Sequence, residues 1–118
     1  MAPERFDELV DEALEAIPDE LLRLVDNVAV VVEPEPTAAQ AAAHDGLLLG
    51  LYEGVMLTNR TPLSYSGVMP DRITIFRENH LRVCSTEGEL RRRIARTVVH
   101  EIGHHFGIAD DRLTELGW

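Results

Sequence analysis

Apolar residues recur at helical spacing in the first stretch of the chain: Phe6, Leu9, Val10, Ala13, Leu14 and Ile17. Asp7, Glu8, Asp11, Glu12 and Glu15 fill the opposite face. The pattern predicts an amphipathic helix that covers one side of a sheet and ends before Pro18, since a proline disfavours helical geometry in the residue before it. A short helical turn is expected at 18–24. The period then changes. Residues 28–32 are continuously apolar and mostly β-branched, which predicts a buried strand. Residues 34–45, with two prolines and an alanine run, predict a connecting loop with one helical turn. A second strand is expected at 47–52, with 55–57 continuing it or pairing as a third. Residues 58–70 are polar and rich in turn formers, a long loop of the kind that is usually functional or mobile. Residues 72–76 alternate and predict another strand. Residues 80–85 fit neither period. No internal repeat or linker divides the chain, so residues 1–118 are expected to form one domain.

The last long segment is the most informative. Thr86 and Glu89 have the spacing of a capping box, which marks a helix start. On the helix that follows, Ile94, Ala95, Val98, Val99, Ile102 and Phe106 share one stripe, and His100 and His104 point nearly the opposite way. Such a helix packs on a core with one side and offers two imidazoles to a cleft with the other. Residues 100–110 read His-Glu-x-x-His-x-x-Gly-x-x-Asp. Four residues apart, His100 and His104 can present nitrogens to one metal ion. Glu101 lies at the edge of that face, within reach of water at the metal. Gly107 can take the left-handed conformation that ends a helix, so the chain can turn back and bring Asp110 as a third ligand. Two nitrogens, one carboxylate and an open position describe a catalytic zinc site.

The elongated motif resembles that of the metzincins, with Asp110 where most of them carry a third histidine. Further segments, among them Ile17-Pro18, 27–32, 49–54, 70–75 and 111–118, are similar to a family of small bacterial zincin-like metallopeptidases. The resemblance runs over nearly the whole chain. It implies a minimal zincin fold and a zinc-dependent hydrolase, and names no substrate. One departure stands out. Metzincins carry a methionine turn after the third ligand, whereas no methionine follows Asp110, and Met56 and Met69 lie upstream.

The expected architecture is α+β: a small mixed sheet of three or four strands packed on the amino-terminal helix and the motif helix. Zn2+ would sit between the motif helix and an edge strand, with Glu101 as general base. A peptide or protein substrate could add itself to that edge, assigned to 47–57. Two other classes share these residues: a non-haem iron enzyme with a two-histidine, one-carboxylate site, and a non-catalytic module whose peptide groove is held by zinc. Among secondary candidates, His105 is expected at the edge of the apolar stripe, and Asp111 as the cap of a short terminal helix, with the third metal ligand as its alternative role. Arg93, Arg96 and Thr97 are expected on a solvated face, with contact to substrate carboxylates as the alternative. Tyr52 and Tyr65 are candidates for stabilising an oxyanion. His44 is expected in solvent, and His80 and Cys84 have no ligand spacing.

Charge narrows the partners. A formal net charge of -10 in 118 residues, with a pI near 4.8, argues against nucleic acid and against anionic membrane surfaces. A single cysteine excludes an internal disulfide. The amino terminus carries no signal-peptide pattern, and the cytoplasm is the expected compartment. The sequence does not define the oligomeric state.

Overall fold

The computed structural model describes residues 1–23, 28–54 and 71–118. The predicted amphipathic segment forms α1 (Pro3–Glu15), with a proline in its first turn, where the missing N–H costs nothing. A single turn follows as α2 (Asp19–Leu22). The strand β1 (Val28–Glu33) leads to α3 (Ala38–Ala42), whose start is closed by a capping box between Thr37 and Gln40. Next come β2 (Gly50–Glu53), β3 (Asp71–Phe76), α4 (Arg77–Val83), the long α5 (Glu87–Phe106) and α6 (Asp110–Glu115).

The strands form one mixed sheet in the order β1-β3-β2. β1 runs parallel to β3 with Val30 opposite Ile73, and β2 runs antiparallel to it with Tyr52 opposite Ile73. α1 and α5 supply most of the core, with Phe6, Leu9 and Ala13 meeting Ile94, Val98, Ile102 and the β3 residues Ile73 and Ile75. At the surface Arg5 ties the two helices together through a bidentate pair with Glu87, at 3.0 and 2.8 Å. The fold is α+β, as the hydrophobic pattern predicts.

Several local readings change. The composition of β1 predicts burial, yet all its valines are only half-buried. It lies at an edge of the sheet, and the central position belongs to β3. There, Ile73, Thr74, Ile75 and Phe76 are buried in succession, because both faces of the strand are covered. The second strand starts three residues later than expected, at Gly50, although the Leu49 carbonyl still accepts from Phe76 N–H. Residues 80–85 fit no period because α4 begins directly after β3 and ends at Val83. The strand expected at 55–57 and the loop at 58–70 lie outside the described residues.

Candidate metal centre

α5 begins where the capping signal places it. The Thr86 hydroxyl accepts from Glu89 N–H, but the Glu89 carboxylate reaches back to Ser85 N–H rather than Thr86, so only half of the reciprocal box forms. The helix ends at Gly107 in the left-handed region (φ 73°), and Ile108 N–H bonds the Gly103 carbonyl at 2.7 Å. That reversal returns the chain along the helix it has just left. Phe106, expected in the apolar stripe, is 45% exposed, because the helix overshoots the core in its last turn.

The turn brings His100, His104 and Asp110 together. One potential ligand atom from each lies within 4.8 Å of the others. Asp110 Oδ1 is 3.4 Å from His104 Nε2 and 3.9 Å from His100 Nδ1. The second nitrogen of His100, Nε2, lies 2.9 Å from the Trp118 carbonyl oxygen. A main-chain oxygen only accepts, so Nε2–H donates to it, and Nδ1 is the nitrogen turned toward Asp110. A carbonyl on the far nitrogen is how metal-binding histidines are commonly oriented. Two imidazoles and a carboxylate converging this closely fit a zinc ion by donor type.

Glu101 is held by the neighbouring edge. Antiparallel pairing turns Leu49 and Leu51 toward β3 and leaves the Tyr52 amide pointing outward. That N–H donates to Glu101 Oε1 at 3.0 Å, while Oε2 lies 3.8 Å from His104 Nδ1. α5 and β2 approach closely because Gly50 has no side chain: a Cβ there would sit 2.5 Å from the Thr97 methyl. The edge assigned to peptide binding is thus beside the histidines, but its Tyr52 amide is already used by Glu101. The Tyr52 hydroxyl donates to Asp71 Oδ2 at 2.8 Å. Burial first, and the Asp71 carboxylate second, push its pKa up to about 12. Its ring stacks on His105 at 3.9 Å. His105 is therefore an exposed residue lying on Tyr52, not a border of the apolar stripe.

Asp110 depends on a separate support. α6 begins at Asp110 itself, with Ala109 in the capping position and no side-chain cap. Asp111 is not the cap expected of it, although its carboxylate accepts from Arg112 N–H at 2.9 Å. The helix is pinned by Leu113, which is fully buried. A Cβ added at Gly103 would stand 2.8 Å from Leu113 Cδ1, so glycine makes room for this contact. Trp118 packs against the same core, and its N–H bonds the Leu113 carbonyl at 2.8 Å.

The sequence matches the family described as zincin-like metallopeptidase over residues 25–118. The chain belongs to the zincin-like metallopeptidase family. Among solved structures, a conserved hypothetical protein from Thermo thermophilus shares the fold. It is 24% identical, with a TM-score of 0.56 over 90% of this chain and 94% of that one. No curated protein matches this chain.

Three features of this zincin-like chain escape the sequence motif. The Tyr52 amide and the Trp118 carbonyl are backbone groups, which residue identity cannot reveal. The third is a buried pair. Thr97, expected in solvent, is buried and 3.0 Å from Nε2 of the fully buried His80. His80 Nδ1 donates to the Phe76 carbonyl at 2.9 Å. Burial pushes the His80 pKa down, the Phe76 carbonyl opposes this, and the Arg93 charge adds to the lowering. The His80 Nε2 faces the Thr97 hydroxyl oxygen, whose own proton goes to the Arg93 carbonyl at 2.9 Å. His44 is exposed as expected. Tyr65, Met56 and Met69 lie outside the described residues. No helix among the described residues is long and apolar enough to cross a membrane.

Proposed function

We propose that this chain is a zinc-dependent peptidase in which His100, His104 and Asp110 hold the metal and Glu101 is the general base. The observation that supports it most is the position of Glu101. One carboxylate oxygen is fixed by the Tyr52 amide, and the other is directed to the histidine side. A carboxylate tied at one oxygen keeps the second in a constant position for proton transfer, and positioned general bases typically contribute about 10²–10⁴-fold in rate.

A zinc ion bound there would supply Lewis acidity to the scissile carbonyl and to the attacking water. Glu101 Oε2 takes the proton from that water and passes it to the leaving amine. Tyr52 N–H keeps Glu101 in place through both transfers. The Trp118 carbonyl sets the orientation of the His100 ring. β2 presents an extended backbone beside the helix, against which a peptide can be aligned.

The test is Glu101→Gln, which keeps the shape but cannot accept the proton. It is expected to retain fold and zinc while losing about 10²–10⁴-fold of peptide hydrolysis. A variant that cleaves as fast as the wild type rejects Glu101 as the base. A wild type that binds zinc and peptides but cleaves none supports the non-catalytic, zinc-held peptide module instead.

A further inference from the structure

Beside the metal centre lies a cavity of about 610 Å³ that does not include the histidines. Its walls are the first half of α5, Ala13 and Ala16 of α1, Cys84, and Trp118. Arg92, Arg93 and Arg96 line it. We propose that these arginines form a subsite for acidic peptide segments, which makes the enzyme selective for substrates with carboxylates a few residues from the scissile bond. The proposal rests on the peptidase assignment and names its substrate class.

The charge distribution supports it. All eleven cationic side chains of the protein are arginine, against 21 carboxylates. With acids in such excess, a typical arginine here has a partner. Arg5, Arg72, Arg77, Arg82, Arg91 and Arg112 each pair with a carboxylate. Among the described residues, Arg23, Arg92, Arg93 and Arg96 make no such pair, and three of these four share one cavity. The cavity has acids of its own, but they are engaged: Glu12 by Arg5 and Arg91, and Glu89 by Ser85 N–H. Arg92 and Arg96 are exposed and keep their planar, five-donor forks open, the geometry that binds carboxylates in bidentate fashion. Arg93 is half-buried beside Cys84 and adds charge from behind.

The spacing connects this patch to the chemistry. Arg92, Arg96 and His100 are four residues apart in turn and so share one side of α5. Arg96 and Arg92 precede His100 by about 6 and 12 Å along the helix axis. An extended peptide advances about 3.3 Å per residue, so their partners would lie roughly two to four residues from the bond being cut. Trp118 joins the two places physically: it lines the cavity, and its carbonyl accepts from His100. The overall charge of -10 repels acidic peptides at long range. Any preference for them must therefore be local, where screening over about 8 Å isolates the arginines from distant acids.

The experiment measures binding by calorimetry to the zinc-loaded Glu101→Gln protein, so that nothing is cleaved. Two ten-residue alanine–serine peptides are compared, one with three consecutive glutamates and one with glutamines in their place. The glutamate peptide is expected to bind about 5–30-fold more tightly at low salt, the scale of two or three partly exposed ion pairs. Arg92→Gln/Arg96→Gln should remove most of that ratio. Arg23→Gln/Arg82→Gln, with the same loss of charge elsewhere, should leave it. Equal affinity for the two peptides, no measurable binding of either, or equal effects of the two double variants overturns the proposal. Because catalysis is absent from this readout, a failure to cleave would count against the peptidase assignment alone.

Discussion

The two halves of the candidate centre are built in different ways. His100, Glu101 and His104 sit on a twenty-residue helix whose opposite side is core; the His100 and Glu101 side chains are 25% and 21% exposed, and that of His104, in the last turn, is 60% exposed. Asp110 sits at the first residue of a six-residue helix, with its side chain 73% exposed. The first half is precise because a long helix, an edge strand and the core all constrain it. The second is held by a short segment: the Ile108 N–H bond to the Gly103 carbonyl, the Leu113 contact in the notch at Gly103, and Trp118 against the core. A site can thus share one set of ligands and still divide its mechanical support unequally. Loss of a remote apolar contact should therefore matter to metal binding on one side and not on the other.

Two side-chain truncations of equal size separate the two kinds of support. Leu113→Ala and Ile94→Ala each hollow out a fully buried position and should each cost about 2–5 kcal/mol of stability, read from denaturant unfolding of the metal-free protein. Only Leu113→Ala should also weaken zinc binding by the folded protein, since only it loosens the segment that carries Asp110. Equal zinc affinities in the two variants would mean that Asp110 is held by something else.

A smaller effect is expected from removing residues 117–118. No proposed ligand is lost, but His100 loses the acceptor for its Nε2–H. Loss of such an outer partner typically costs about 10–100-fold in metal affinity. Trp118→Ala, which keeps the carbonyl, should lose less. If the two changes have the same effect, the indole rather than the carbonyl supports the site.

The smallest effect lies on the well-supported side. The folded pKa of His80 is below the ordinary value of about 6.5. Between those two values the unfolded chain binds a proton that the folded chain refuses. Stability should therefore be full above pH 6.5 and decline as the pH falls toward the folded pKa. For one proton the slope is at most about 1.4 kcal/mol per pH unit. His80→Gln should remove this share of the decline, as measured by urea unfolding between pH 7 and 5. An unchanged slope would show that His80 does not refuse the proton.

Much of this organisation is legible in the sequence, for physical reasons that differ by region. The helices α1 and α5 are long, strongly periodic and bounded by Pro18, Thr86 and Gly107, so pattern and punctuation agree. The clustering of His100, His104 and Asp110 follows from helical spacing and one left-handed glycine. What failed depended on tertiary neighbours. The valines of β1 carry the composition of a central strand, but sheet order puts them at an edge. Phe106 obeys the helical period but projects past the core that would cover it. Thr97 and His105 are ordinary polar residues until β2 arrives, one to be buried against His80 and the other to stack on Tyr52. The groups that hold Glu101 and His100 are backbone atoms, which have no signature in residue type.

Metal content decides whether His100, His104 and Asp110 form a metal site. The wild type, His100→Ala and Asp110→Asn are purified in parallel, equilibrated with zinc, dialysed and analysed for metal per chain. About one zinc per chain is expected in the wild type, little or none in His100→Ala, and a marked loss in Asp110→Asn, with all three folded by circular dichroism. Equal zinc content in the three proteins, or none in the wild type, would contradict that assignment.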